Sequence, residues 1–193
     1  MVRRSALSAA LLASVAVVVL TACTTNNSSC GVAIPSTDST PPGITLGVAP
    51  QNGATVATSA GGTAQTGRLS TKVGPLNLLV TAKDDESGVR QVQIWMVTTK
   101  TRCNGSTCTT SGPGLAGAPI FEMAADTKTT GDCVATSSIL ADSYELAQAI
   151  PQGAPASGSS LTVALTFWAD AVNHVTGSAR TPDATLTWTE TTP

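Results

Sequence analysis

Histidine, aromatic side chains and basic clusters are all scarce in this 193-residue chain, and each scarcity removes a class of function. The single histidine, His174, offers little for imidazole chemistry. A serine triad needs a histidine held by a carboxylate within reach of a serine, and no Gly-x-Ser-x-Gly elbow occurs. His174 therefore reads as a solvated turn residue. Only 10 residues are Lys or Arg, and after Arg3-Arg4 none of them cluster, which speaks against nucleic acid as a partner. No repeat of calcium-binding loops appears, no pair of carboxylates stands out for glycoside hydrolysis, and no motif asks for a cofactor. Long amphipathic helices are missing too. Thr, Ala, Ser, Gly and Val fill the chain instead.

What is present begins at the N-terminus. Met1-Val2-Arg3-Arg4 is followed by an apolar, small-residue stretch from Ala6 to Leu20. A membrane-spanning helix needs about 20 apolar residues at ~1.5 Å rise each, and this run ends too soon. A positive start and a short apolar stretch form the pattern of a secretory signal. Leu20-Thr21-Ala22-Cys23 closes the run. This tetrapeptide, in that order after charge and apolar stretch, resembles the lipobox of bacterial lipoproteins. The resemblance implies cleavage before Cys23 and a diacylglyceryl thioether on its sulfur, a modification that needs the nucleophilicity of a thiolate. Stable anchoring takes two acyl chains, which such a cysteine would carry. Residues 1–22 are then a signal peptide, and the mature chain is held on the extracytoplasmic side of a bacterial membrane. Loss of Arg3 and Arg4 leaves 8 basic residues against 12 acidic ones, a net charge of −4.

Four further cysteines remain: Cys30, Cys103, Cys108 and Cys133. An even number in an exported protein reads as disulfides, with three possible pairings. Asn104-Gly105 between Cys103 and Cys108 favours a local bridge across a turn. Cys30 would then pair with Cys133 by elimination. A zinc site is the weaker reading, because the spacing is wrong for a knuckle and His174 is remote. Residues 24–43 are rich in Thr, Asn, Ser and Pro and read as a flexible tether, so that residues 23–42 form a lipidated N-terminus and linker. About 20 such residues span roughly 25 Å.

Residues 43–193 carry period-two alternation. Ile44 to Val48, then Leu76, Leu78, Val80 and Ala82, then Val92, Ile94 and Met96, then Leu161 to Ala169, then Ala184, Leu186 and Trp188 all read as strands. Gly74-Pro75, Gly112-Pro113-Gly114 and the stretch 151–158 punctuate them. Short strands with turn signals and scarce helix point to one antiparallel all-β sandwich. Two segments add a resemblance. Val80 to Ile94, with Ala82-Lys83-Asp84 and a Ser87-Gly88-Val89 turn, looks like the B–C strand pair of bacterial immunoglobulin-like domains. Leu161 to Ala169, followed by Asp170-Ala171-Val172-Asn173, resembles their F strand, although Asp follows Ala directly and Val172 stands where Gly is usual. The implied fold is an immunoglobulin-like sandwich. The stretch from Thr99 to Ser143 exceeds the usual connection and is expected as a long, disulfide-bearing insert, the first candidate for a binding surface.

Asp84, Asp85, Glu86, Asp170 and Asn173 fall at strand ends that would share one pole, and together could offer oxygen ligands to calcium. Turn Asp and Asn side chains routinely bond to nearby backbone instead, and that is the favoured reading. Trp95, outward on its strand, is the candidate contact residue, facing either a partner or the underside of the insert. The functional expectation is a non-catalytic binding, adhesion or scaffolding module, without cofactor or metal, whose partner is an envelope protein or glycan. The alternative is an envelope enzyme, or a domain accessory to one, whose site the sequence does not display. The anchor is testable on its own. Cys23→Ala should abolish lipid labelling and either block cleavage or release the protein to the soluble fraction; native protein whose intact mass carries no acyl chain would refute the lipoprotein reading.

Overall fold

The computed structural model describes residues 21–33, 37–50, 53–69, 75–114, 118–124, 130–142 and 157–191, with side chains left out at 21–33, 114, 130–133 and 141–142. Twelve strands are described: β1 (Thr21–Ala33), β2 (Gly43–Pro50), β3 (Val56–Ser59), β4 (Gln65–Arg68), β5 (Pro75–Lys83), β6 (Val89–Asn104), β7 (Thr107–Gly114), β8 (Phe121–Ala124), β9 (Thr130–Asp142), β10 (Ser159–Asn173), β11 (Ser178–Arg180) and β12 (Ala184–Thr191). They form two packed sheets. The first runs β3-β2-β5-β9-β1; the second runs β6-β10-β12-β4, with β7 and β8 along the free edge of β6 and β11 on β10. Every pairing is antiparallel except that of β4 with β12. The sheets join at one corner, where Val89 pairs with Asp132.

Alternation sets which residues meet between the sheets. Ile44, Leu46, Val48, Leu78, Val80 and Ile139 point inward from the first sheet, and Val92, Ile94, Leu165, Phe167 and Leu186 from the second; all are buried. The intervening residues, mostly Thr, Ser, Ala and Gln, face outward. Every strand read from the sequence is present at its expected place, and each is longer than its apolar core. β4 approaches the core so closely that a Cβ on Gly67 would lie 2.5 Å from Val56 Cγ2 and 3.0 Å from Leu186 Cδ2. Only glycine fits there.

Two expectations differ from the structure. Residues 99–143 are not an insert laid on the sandwich: they finish β6, make the β6–β7 hairpin and β8, and supply β9, which lies between β5 and β1 in the first sheet. β9 was hidden because its inward positions are Ala135, Ser137 and Ile139, too small and polar to register as an apolar alternation. Likewise, the front of the expected tether is strand β1, paired with β9 along irregular register.

Cys103 and Cys108 face each other across the β6–β7 hairpin and form the expected disulfide. The turn between them places Gly105 at a φ of 59°, the left-handed region that primed hairpin turns require. The sulfur atoms of Cys30 and Cys133 lie outside the described side chains. Their backbones run on adjacent strands, however, with Ser28 opposite Val134 and Ser29 opposite Asp132, so the two cysteines stand within a few residues of facing positions. Non-reducing peptide mapping should therefore find a Cys30–Cys133 bridge beside Cys103–Cys108. Closing a loop of about 100 residues is worth up to ~4.7 kcal/mol in the chain-entropy model, so Cys133→Ser should lower stability far more than Cys108→Ser. Free thiols at 30 and 133 would refute the pairing.

Candidate functional site

Two clusters of polar side chains stand out, one at a pole of the sandwich and one on its open face. At the pole, the β5–β6 turn is organised by Asp84, whose Oδ1 accepts hydrogen bonds from the backbone N–H groups of Glu86 (3.1 Å), Ser87 (2.9 Å) and Gly88 (3.1 Å). A carboxylate at the head of a turn takes such donors in preference to leaving them buried and unpaired. Gly88, at a φ of 79°, supplies the left-handed bend. Asn173, fully buried at the end of β10, does the same for the next turn: its Oδ1 accepts from Val175 N–H (3.1 Å) and Gly177 N–H (2.7 Å). Its Nδ2 donates to Asp38 Oδ2 (3.0 Å) and to the Thr40 carbonyl (3.2 Å).

Asp38, buried and just upstream of β2, thereby fastens the N-terminal approach to the pole. Its other oxygen accepts from Thr40 N–H at 2.9 Å, and Thr40 Oγ1 donates to Glu86 at 3.3 Å. Ser87's hydroxyl, though short of a well-formed hydrogen bond, is the strongest influence holding the Asp38 carboxyl below the usual range; Thr40's N–H adds to it, against the burial that would raise it. A shallow depression of about 390 Å³ lies beside them, lined by Thr37, Asp38, Ser39, Glu86, Val175 and Thr176. It holds two carboxylates, but both oxygens of Asp38 are engaged in the clasp.

The five residues weighed for calcium are not brought together as ligands. Asp84 and Asn173 serve their own turns, Asp85 pairs with Lys83 at 2.6 Å on the surface, and Asp170 sits on the open face of the second sheet. Among the described residues no group of three or more metal-ligating side chains converges. His174 lies in the turn after β10, its backbone N–H donating to the Gly88 carbonyl at 3.2 Å.

The open-face cluster is built by register. Trp95 on β6 pairs directly with Trp168 on β10, and Asp170 pairs with both Gln93 and Arg180. All five side chains therefore project from the same outer face. The indoles stack with centroids 6.2 Å apart and planes within 5°, and the Arg180 guanidinium lies 4.4 Å from the Trp168 centroid. Parallel offset rings and a cation over one of them are favourable arrangements of the aromatic quadrupole. Burial is the main influence on Asp170 and pushes its carboxyl up; Arg180 and the two indole N–H groups oppose it. Trp95 Nε1, although buried, stops short of a well-formed hydrogen bond. Trp95 is thus outward, as its alternation indicated, but half-buried against a second tryptophan. Trp168 and Arg180 escaped sequence reasoning because only the register shows that they meet Trp95. On the inner face near the opposite pole, Lys100 is buried; desolvation lowers the ammonium, with Glu190 opposing.

The Asp38 clasp predicts a pH dependence with a definite sign. Its carboxyl is lowered on folding, so its contribution is complete above the unfolded-chain value of about 3.9 and is lost as pH falls through the lower folded value. Asp38→Asn should be less stable than the wild type in chemical denaturation at neutral pH, and the difference should close in acid; a difference unchanged down to about pH 2 would show that the charge is irrelevant. No known protein family, curated protein or solved structure matches the chain, so geometry alone carries the functional reading.

Proposed function

We propose that this chain is a bacterial lipoprotein, held by lipid on Cys23 at the extracytoplasmic side of a membrane, whose immunoglobulin-like sandwich is a non-catalytic binding, adhesion or scaffolding module. In support of the immunoglobulin-like reading, β2, β5 and β9 lie side by side as A, B and E strands do, β6, β10 and β12 as C, F and G, and the short β4 runs parallel to β12. The fold by itself names no activity.

The observation that carries the binding reading is the Trp95–Trp168–Arg180 stack on the open face of the second sheet. Around it the face is threonine-rich: Thr162 pairs with Thr189 at 2.9 Å, and Thr166 with Thr185 at 3.1 Å, hydroxyl to hydroxyl. Tryptophan and arginine are among the residue types that most often anchor interfaces. The ring of small hydroxyl side chains around them would close over water-excluding contacts to an envelope protein or a glycan.

Loss of such an anchor typically costs about 2 kcal/mol, roughly 30-fold in affinity. Trp95→Ala and Trp168→Ala should each weaken capture of isolated envelope glycan or of crosslinked envelope protein by about that factor while circular dichroism stays that of the wild type. Undiminished capture by both variants would overturn the assignment of this face. Collapse of the fold in Trp95→Ala would show that the stack serves stability instead.

A further inference from the structure

The register of β1 leaves no slack between the proposed lipid site and the domain. Cys23 is the third residue of β1 and pairs with Ser138 on β9. The same row continues across the first sheet: Ser138 faces Leu79 on β5, and Leu79 faces Gly47 on β2. Two residues further along β9, Leu140 lies between Asn77 of β5 and Thr21 of β1. Leu79 and Leu140 are the exposed large hydrophobic residues among those described, at 46% and 55% exposure. Both occupy outward positions on one face. Their outward neighbours between the strand ends, including Thr45, Asn77, Thr136 and Ser138, carry no charge; charged residues stand only at the ends, Lys83 paired with Asp85 at one and Asp142, at the register position opposite Pro75, at the other.

We propose that this outer face of the first sheet rests on the phospholipid surface, with Leu79 and Leu140 entering the boundary between headgroups and acyl chains beside Cys23. The proposal rests on acylation of Cys23. A free linker would let the domain stand away from the membrane, whereas a strand paired from its third residue brings the acylated end and the sheet to the surface together. Isolated exposed leucines are ordinary on soluble proteins. These two differ in lying one and two strand positions from the acylated residue, on a face whose middle offers lipid no charge to desolvate. Cleavage before Cys23 would also remove Thr21 and Ala22, the strand partners of Leu140 and Ile139, and so uncover this corner further. Apolar side chains that reach the interface add to acyl anchoring in the way a second anchor does.

The full chain, processed in a bacterial host and reconstituted into phosphatidylethanolamine–phosphatidylglycerol vesicles, tests this with nitroxide labels at Leu79→Cys, Leu140→Cys and, as the opposite-sheet control, Ala164→Cys. Intact mass establishes acylation first. The expected result is collision with oxygen exceeding collision with a water-soluble nickel chelate at 79 and 140, and the reverse at 164. Either leucine label suffices if the other variant misfolds. Acylated protein in which all three labels are equally accessible to nickel overturns the docking and leaves the anchor intact. Dipolar broadening between labels at 79 would mean that a second copy covers the face, and overturns it too. A mass without acyl chains overturns the lipoprotein reading and this inference with it.

Discussion

The structure depends on the pairing of β6 with β10. From Ser159 opposite Asn104 to Val172 opposite Gln91 the register runs without a slip. Side chains alternate with a period of two, so that one register decides both faces at once. It sends Val92, Ile94, Phe167 and Leu165 into the core and leaves Trp95, Trp168, Gln93 and Asp170 outside. A slip of β10 by one residue would bury the Trp168 indole and the Asp170 carboxylate where the sheets meet and expose Leu165 and Phe167. The open-face cluster and the core are therefore specified by the same hydrogen-bond ladder.

The two sheets are not equally well written in the sequence. β2, β5, β6, β10 and β12 were legible because each alternates apolar residues, most of them large, with polar or small ones. β9 was not, because the small residues Ala135 and Ser137 fill its inward positions, and β3 and β4 are only four residues long. Hydrophobic periodicity reports the size of what is buried, and β9 buries little. A framework strand therefore looks, in sequence, like part of an insert. The site was legible to a similar degree. Trp95 could be placed outward from its strand alone, but its stacking partner and the guanidinium above that partner come from residues 73 and 85 positions downstream. No local pattern links such distant residues.

Asp38 illustrates the limit differently. It sits in a stretch of Ser, Thr and Pro whose composition suggests no fixed structure, yet it is buried and shares hydrogen bonds with Asn173. A Cβ on Gly177 would lie 2.5 Å from Asn173 Nδ2 and 2.9 Å from the Thr40 carbonyl, so the clasp also requires glycine there. Low apolar content argues against a segment forming its own core; it does not prevent docking onto one built by others through a few well-satisfied polar groups. The pole is closed this way, and the turn residues that looked like metal ligands are occupied in closing it.

The two outer faces of the sandwich differ in kind, and the difference gives the molecule a direction. One carries two exposed leucines, charge only at its strand ends, and the register position of Cys23. The other carries stacked tryptophans, an arginine and a half-buried carboxylate among threonines. Packed sheets lie about 10 Å apart with their outer faces turned away from each other. If the first face lies on lipid, the second is presented outward from the membrane with no linker needed to lift it. A lipoprotein on a long flexible tether samples many orientations, and its binding face meets a partner in only a fraction of them. A domain seated on its own sheet holds that face outward continuously, which reduces the orientational entropy lost on capture. Strand β1 thus connects the two proposals: by extending the first sheet up to Cys23, it fixes which side of the sandwich the membrane can occupy and therefore which side is left for a partner.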